Sequence, residues 1–195
     1  MKTIFEKGDF DNYRVLRLDS AMESVCKTYN ESLLNTTTVF ISHKHEDLNE
    51  LKGIIGYLKS KYNVKPYIDS QDPAMPNKTS AETAQRIKKK IDQCDKFILL
   101  ATDNAIESKW CNWELGYGDA TKYSNRNVAL FPMKGKGTSD RGYKGNEYMG
   151  IYPHIVYSKG DTYNSGKPII EGYYLRYKEN EKYYVIPLEE WFESR

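Results

Sequence analysis

Cysteine is scarce: the chain has three, Cys26, Cys94 and Cys111, odd in number, widely spaced and without a C-x-x-C. That pattern excludes a disulfide-stapled scaffold and fits free thiols in a reducing compartment, the cytoplasm. No apolar run approaches the ~20 residues that cross a bilayer, and Met1-Lys-Thr-Ile-Phe-Glu-Lys-Gly-Asp9 lacks a hydrophobic signal core. No membrane partner is expected. Excess charge of either sign is missing as well. The 29 basic and 27 acidic residues leave a net charge of +2, with a pI near 8.2, so no nucleic-acid partner is implied. The densest basic run, Arg86-Ile-Lys-Lys-Lys90, reads as the solvated face of an amphipathic helix.

Phosphate-cradling glycines are missing in turn. No G-x-G-x-x-G follows the first strand, and Gly135-Lys-Gly-Thr138 lacks the upstream glycine of a P-loop. His43 and His45 stand two apart without a third defined ligand, so no metal is expected. No Ser/His/Asp triad assembles by spacing, and Cys111 reads as a small packing residue.

What is there is an alternation of short apolar strands and amphipathic helices between residues 38 and 158, within a chain of 195 residues that suits one core. The alternation predicts a parallel sheet. Its strands are Thr38–Ser42, a segment near Lys65–Asp69, Lys96–Thr102, Asn127–Met133 and His154–Ser158. Leu48, Leu51, Ile54, Ile55 and Leu58 line one face of the first helix, with Glu46 and Asp47 suited to its first turn. Thr79-Ser-Ala-Glu82 reads as a capping box opening the next helix, whose buried side carries Ala84, Ile87, Ile91 and Cys94. The segment 70–78, with two prolines, reads as a loop, and the Gly/Lys-rich 134–145 as a flexible surface loop. Residues 1–37 form an N-terminal extension with a helix from about Ser20 to Leu34. Residues 159–195 form a C-terminal extension whose Tyr173–Lys178 and Lys182–Pro187 pair as a β-hairpin. Its tyrosines suit either an association face or an edge that completes the sheet.

In an open parallel sheet, ligands bind beyond the carboxyl ends of the strands. That rule selects Ser42, His43, Asp69 and the helix after the third strand, which carries Trp110-Cys-Asn-Trp-Glu114. Ser108 is the expected N-cap of that helix. Glu114 has indole, thiol, phenol and glycine at i−4, i−3, i+3 and i+4, and no basic partner. The pattern places it on the rim, and two readings stand: a carboxylate that meets a ligand, or a surface glutamate beside a core tryptophan.

Four stretches together carry a family resemblance: Val39-Phe-Ile-Ser-His-Lys-His-Glu-Asp47, Tyr67-Ile-Asp69, Ile91-Asp-Gln-Cys-Asp-Lys-Phe-Ile-Leu-Leu-Ala101 and Ser108-Lys-Trp-Cys-Asn-Trp-Glu-Leu115. The chain resembles a Toll/interleukin-1 receptor (TIR) domain over roughly residues 38–158. The proline-rich loop after the second strand departs from the family's glycine-centred pattern. The resemblance implies an α/β, flavodoxin-like three-layer domain with a central five-stranded parallel sheet. The W-x-x-x-E element is similar to the one in which catalytic TIR domains place the glutamate that cleaves NAD+. It implies Glu114 as the catalytic residue, with Phe40, Ser42, His43, Asp69 and Trp110 around the substrate. It further implies NAD+ as substrate with no separate cofactor, and self-association through TIR surfaces. Its type is similar to the stand-alone prokaryotic TIR proteins of Thoeris antiphage defence, whose nucleotide product diffuses to an effector. Two alternatives stay open: a non-catalytic TIR interaction module, and a nucleoside deoxyribosyltransferase-like enzyme.

Overall fold

The strands are rich in β-branched and aromatic residues and carry few charges, and that content favours a sheet. The computed structural model describes residues 1–15, 36–69 and 80–194. In chain order its strands are β1 Phe5–Glu6, β2 Thr37–Ser42, β3 Val64–Tyr67, β4 Lys96–Ala101, β5 Val128–Lys134, β6 His154–Ser158, β7 Gly172–Glu179 and β8 Lys182–Pro187. Its α-helices are α1 Leu48–Lys61, α2 Ala81–Gln93, α3 Asp103–Glu107, α4 Lys109–Lys122, α5 Asn146–Ile151 and α6 Leu188–Glu193. The sheet order is β3-β2-β4-β5-β6-β7-β8. From β3 to β6 every pairing is parallel, and β7 and β8 add antiparallel to that edge. The expected five-stranded parallel sheet and hairpin are therefore both present. The hairpin turns through Asn180 and Glu181, both at positive φ (47° and 62°), the backbone a tight two-residue turn demands.

Strands β4 and β5 are buried along their whole length, because helices cover both faces of the sheet. On one face Val39, Ile41, Ile98, Leu100 and Phe131 meet Leu51, Ile54, Ile55 and Leu58 of α1. On the other Phe40, Phe97, Leu99 and Leu130 meet Ile87 and Ile91 of α2 and Cys111 and Leu115 of α4.

The start of the chain joins this core. Strand β1 pairs in parallel with the end of β5, and Phe5 and Phe10 are buried with the α1 face. The segment crosses α1 so closely that a Cβ on Gly53 would lie 2.7 Å from the Phe10 carbonyl oxygen. The helix expected from Ser20 to Leu34 and the loop 70–78 lie outside the described residues.

Three details correct the sequence reading. The cap of α2 is Ser80, whose hydroxyl accepts from the Thr83 N–H at 3.2 Å, not Thr79. The stretch 134–145 is not a free loop. Tyr143 is buried in it and its hydroxyl donates to the Ala101 carbonyl, so one large ring anchors a segment that its glycines and lysines make look mobile. The helix α5 follows directly, although six residues carry too little periodicity to announce it.

Candidate active site

Alternation along β2 sends Val39 and Ile41 to the α1 face and Phe40 and Ser42 to the α4 face. Helix α4 starts where Ser108 accepts from the Cys111 N–H, as expected of its N-cap. It then lies hard against the sheet, because Gly118 has no side chain: a Cβ there would sit 3.0 Å from the Phe97 ring. That close approach carries Glu114, one turn earlier, down to the end of β2.

Glu114 is 1 % exposed. The rim placement is thus corrected: the absence of basic neighbours along its helix marks a side chain turned inward. The Ser42 hydroxyl donates to Glu114 Oε2 at 2.5 Å. The other oxygen, Oε1, is buried and has no hydrogen-bond partner among the described residues. Burial pushes the carboxyl up to about 8, with the charge of Asp69 adding to the effect and hydrogen bonding from Ser42 and Trp110 working against it. The Trp110 indole thus favours the ionised form without closing a bond of ordinary geometry to Oε1.

Of the five residues expected beside Glu114, the structure brings Ser42, Asp69 and Trp110 around this carboxyl, with His43 next to Ser42 in the chain. Trp110 is half-buried and stacks on Trp113 with ring centres 4.9 Å apart. Asp69 is half-buried where β3 has ended, and its charge reaches both Glu114 and His43. His43 is buried, with Nδ1 3.4 Å from the Ile41 carbonyl oxygen. Burial pulls its pKa down against the pull of Asp69, which favours the neutral imidazole. Phe40 is the exception. Its ring is fully buried between Tyr67 and Phe97, stacked on Phe97 at 5.6 Å and 8°, so it is the floor beneath Ser42 and Glu114 and offers no open surface to a nucleotide. Cys111 lies between Ser108 and Ser42, and burial raises its thiol, which leaves it unreactive.

His43 and His45 diverge, the first buried and the second exposed. Among the described residues no three His, Cys, Asp or Glu side chains gather to hold a metal ion. Nor is any described helix long and apolar enough to cross a membrane.

One polar residue at this end of the sheet escapes the sequence reading. Asp47 suggests a solvated acid in a first turn, yet it is fully buried. Its partners are Lys7, 40 positions away, and Thr102 and Asn104, 55 and 57 away. No local spacing carries that signal.

A model of the TIR domain family matches residues 39–152, more than half of the chain. The chain belongs to the TIR domain family. The match runs from β2 to the end of α5, and so includes Ser42, His43, Asp69, Trp110 and Glu114. Among similar proteins is one from Bacillus cereus (strain MSX-D12) named "Probable 3' cyclic ADP-D-ribose synthase ThsB'", 31% identical over 147 residues. The alignment covers 74% of this chain and 71% of that relative. Another, from Cytobacillus dafuensis, is named "Putative cyclic ADP-D-ribose synthase TIR2" and is 34% identical over 82 residues, covering 40% of this chain and 21% of that protein.

Proposed function

We propose that this protein cleaves the bond between nicotinamide and ribose in NAD+, releasing nicotinamide with ADP-ribose or a cyclic ADP-ribose isomer. The observation that carries the reading is Glu114: a carboxyl buried at the strand ends, held through one oxygen by Ser42, with the other oxygen buried and without a partner among the described residues. The names of the two relatives, both cyclic ADP-ribose synthases, support it.

The chemistry suits one carboxylate. When the C1′–N1 bond breaks, its electron pair goes to the ring nitrogen, and the pyridinium leaves as neutral nicotinamide. No strong general acid is needed, unlike in ordinary glycoside hydrolysis. Positive charge gathers on the ribose, and an ionised Glu114 in a site shielded from water stabilises it. Trp110 walls the site beside the carboxylate, His43 and Asp69 supply polar contacts, and no metal ion or separate cofactor is required. Water captures the ribosyl cation to give ADP-ribose and a proton. A ring nitrogen or hydroxyl of the same molecule captures it to give a cyclic isomer.

A purely scaffolding TIR module has no use for a buried carboxyl with one oxygen lacking a partner among the described residues, which costs stability. We propose further that the product acts as a diffusible signal to an effector in antiphage defence, as the resemblance to stand-alone Thoeris TIR proteins implies. Self-association, for which the exposed Tyr183 and Tyr184 on the edge strand β8 are suited, belongs to the same proposal and is tested by sedimentation over a range of concentrations.

Chromatography of NAD+ incubated with purified protein tests the reaction. Nicotinamide should appear in step with ADP-ribose or its cyclic isomer. Intact NAD+, with base exchange on free deoxynucleosides instead, would favour a deoxyribosyltransferase-like enzyme.

A further inference from the structure

Asp47 has no exposed surface, and donors from separate parts of the chain converge on it. Lys7 Nζ reaches Oδ1 at 2.6 Å, Asn104 Nδ2 reaches Oδ1 at 3.0 Å, and the Thr102 hydroxyl donates to Oδ2. Asp47 lies five residues after Ser42, in a turn closed by its own N–H to the Lys44 carbonyl at 2.9 Å. Thr102 follows β4 and caps α3 by accepting from the Ala105 N–H at 3.0 Å, and α3 leads directly to Ser108 and α4. One carboxylate thus joins the loop that follows Ser42 to the connection that delivers Trp110 and Glu114.

We infer that Lys7 is a positioning residue for the Glu114 site, its ammonium fixing Asp47 so that the two strand-end loops keep Ser42 and Glu114 in register. The inference rests on the proposed NAD+ cleavage for its catalytic consequence. Lys7 can do this because its backbone is held independently of its side chain. Strand β1 pairs with Met133 and Lys134, the Lys7 N–H reaches the Lys134 carbonyl at 3.0 Å, and Phe5 and Phe10 are sunk in the core. Burial works against the ammonium, but the hydrogen bond and charge of Asp47 outweigh it and hold Lys7 above its ordinary value. The family match begins at residue 39, so Lys7 lies outside the matched residues.

Without Lys7 the donors left to the buried carboxylate among the described residues are neutral, and a buried charge that loses its partner is costly enough to move a loop toward water. Such a movement pulls on Ser42 and His43, and small misplacements near reacting groups lower turnover steeply.

Four variants and three readouts test this. Lys7→Met should lower kcat for nicotinamide release at least ~10-fold while KM for NAD+ stays within ~2-fold. Amide hydrogen exchange over residues 43–48 should quicken, with β4 unchanged. Lys7→Arg keeps the charge and should restore most of kcat. Arg14→Met, at an exposed pair in the same segment, should match wild type. The double variant Lys7→Met/Asp47→Asn removes both charges, so its melting temperature should recover while kcat stays low. Recovery of kcat together with stability in the double variant would show Lys7 to be a charge neutraliser alone and overturn the inference. Wild-type exchange over 43–48 in Lys7→Met would overturn it too, and that arm decides even if the wild-type protein leaves NAD+ intact, which is the separate failure of the functional reading.

Discussion

Glu114→Gln lowers nicotinamide release at least ~100-fold, a loss of about 3 kcal/mol of transition-state stabilisation. Gln keeps the size of the side chain and an oxygen to accept from Ser42, but it cannot carry the negative charge that the ribosyl cation needs. The geometry around it gives no substitute: Asp69 is half-buried at the end of β3, and Ser42 is already committed to the carboxyl at 2.5 Å. Steady-state rates of both proteins, with far-ultraviolet circular dichroism to show equal folding, make the comparison. A Gln variant that turns over NAD+ at near the wild-type rate would remove Glu114 from the chemistry and return the chain to the interaction-module reading.

The second large effect is on stability, and it depends on pH. A rim carboxylate would change stability by no more than ~0.5 kcal/mol, but Glu114 is buried and its carboxyl is raised from the usual 4.5 to about 8. Between those values the folded protein holds a proton that the unfolded chain has released. Stability from this group is therefore complete below about 4.5, falls as pH rises, and is lost once pH passes about 8. At ~1.4 kcal/mol for each tenfold change the whole loss is bounded at roughly 5 kcal/mol. Glu114→Gln has no proton to lose there. Urea unfolding at pH 5.5, 7 and 8.5 should show the wild-type protein weakening relative to the Gln variant, which becomes the more stable of the two at the alkaline end. Parallel stability curves for the two proteins would mean that Glu114 ionises without cost in the folded state.

Much of the fold was legible because its signals are local. Strands such as Phe97–Ala101 are short apolar runs, α1 carries its leucines and isoleucines at helical spacing, and Ser108 caps α4 through its own hydroxyl. The hairpin was legible for the same reason. The site was legible in identity but not in environment. Glu114 stood out because its helical neighbours offer no positive charge, yet its burial follows from Gly118 letting α4 onto Phe97 and from Ser42 ending β2 beneath it. Phe40 alternates toward the same face as Ser42, and only the packed rings of Tyr67 and Phe97 reveal that it is floor rather than wall. The bond between Lys7 and Asp47 spans 40 residues, and Tyr143 reaches Ala101 across 42. Neither has a periodicity or a motif that could announce it.

A carboxyl that burial keeps neutral in the folded protein must ionise to act on the cationic substrate. The pH dependence of kcat/KM for nicotinamide release tests it most directly, because that ratio reports groups of the free enzyme. Glu114 with a value of about 8 predicts a rise of about tenfold per pH unit from pH 6 that levels off near pH 8. A profile that is flat from pH 6 to pH 9, or one that falls through that range, would contradict it.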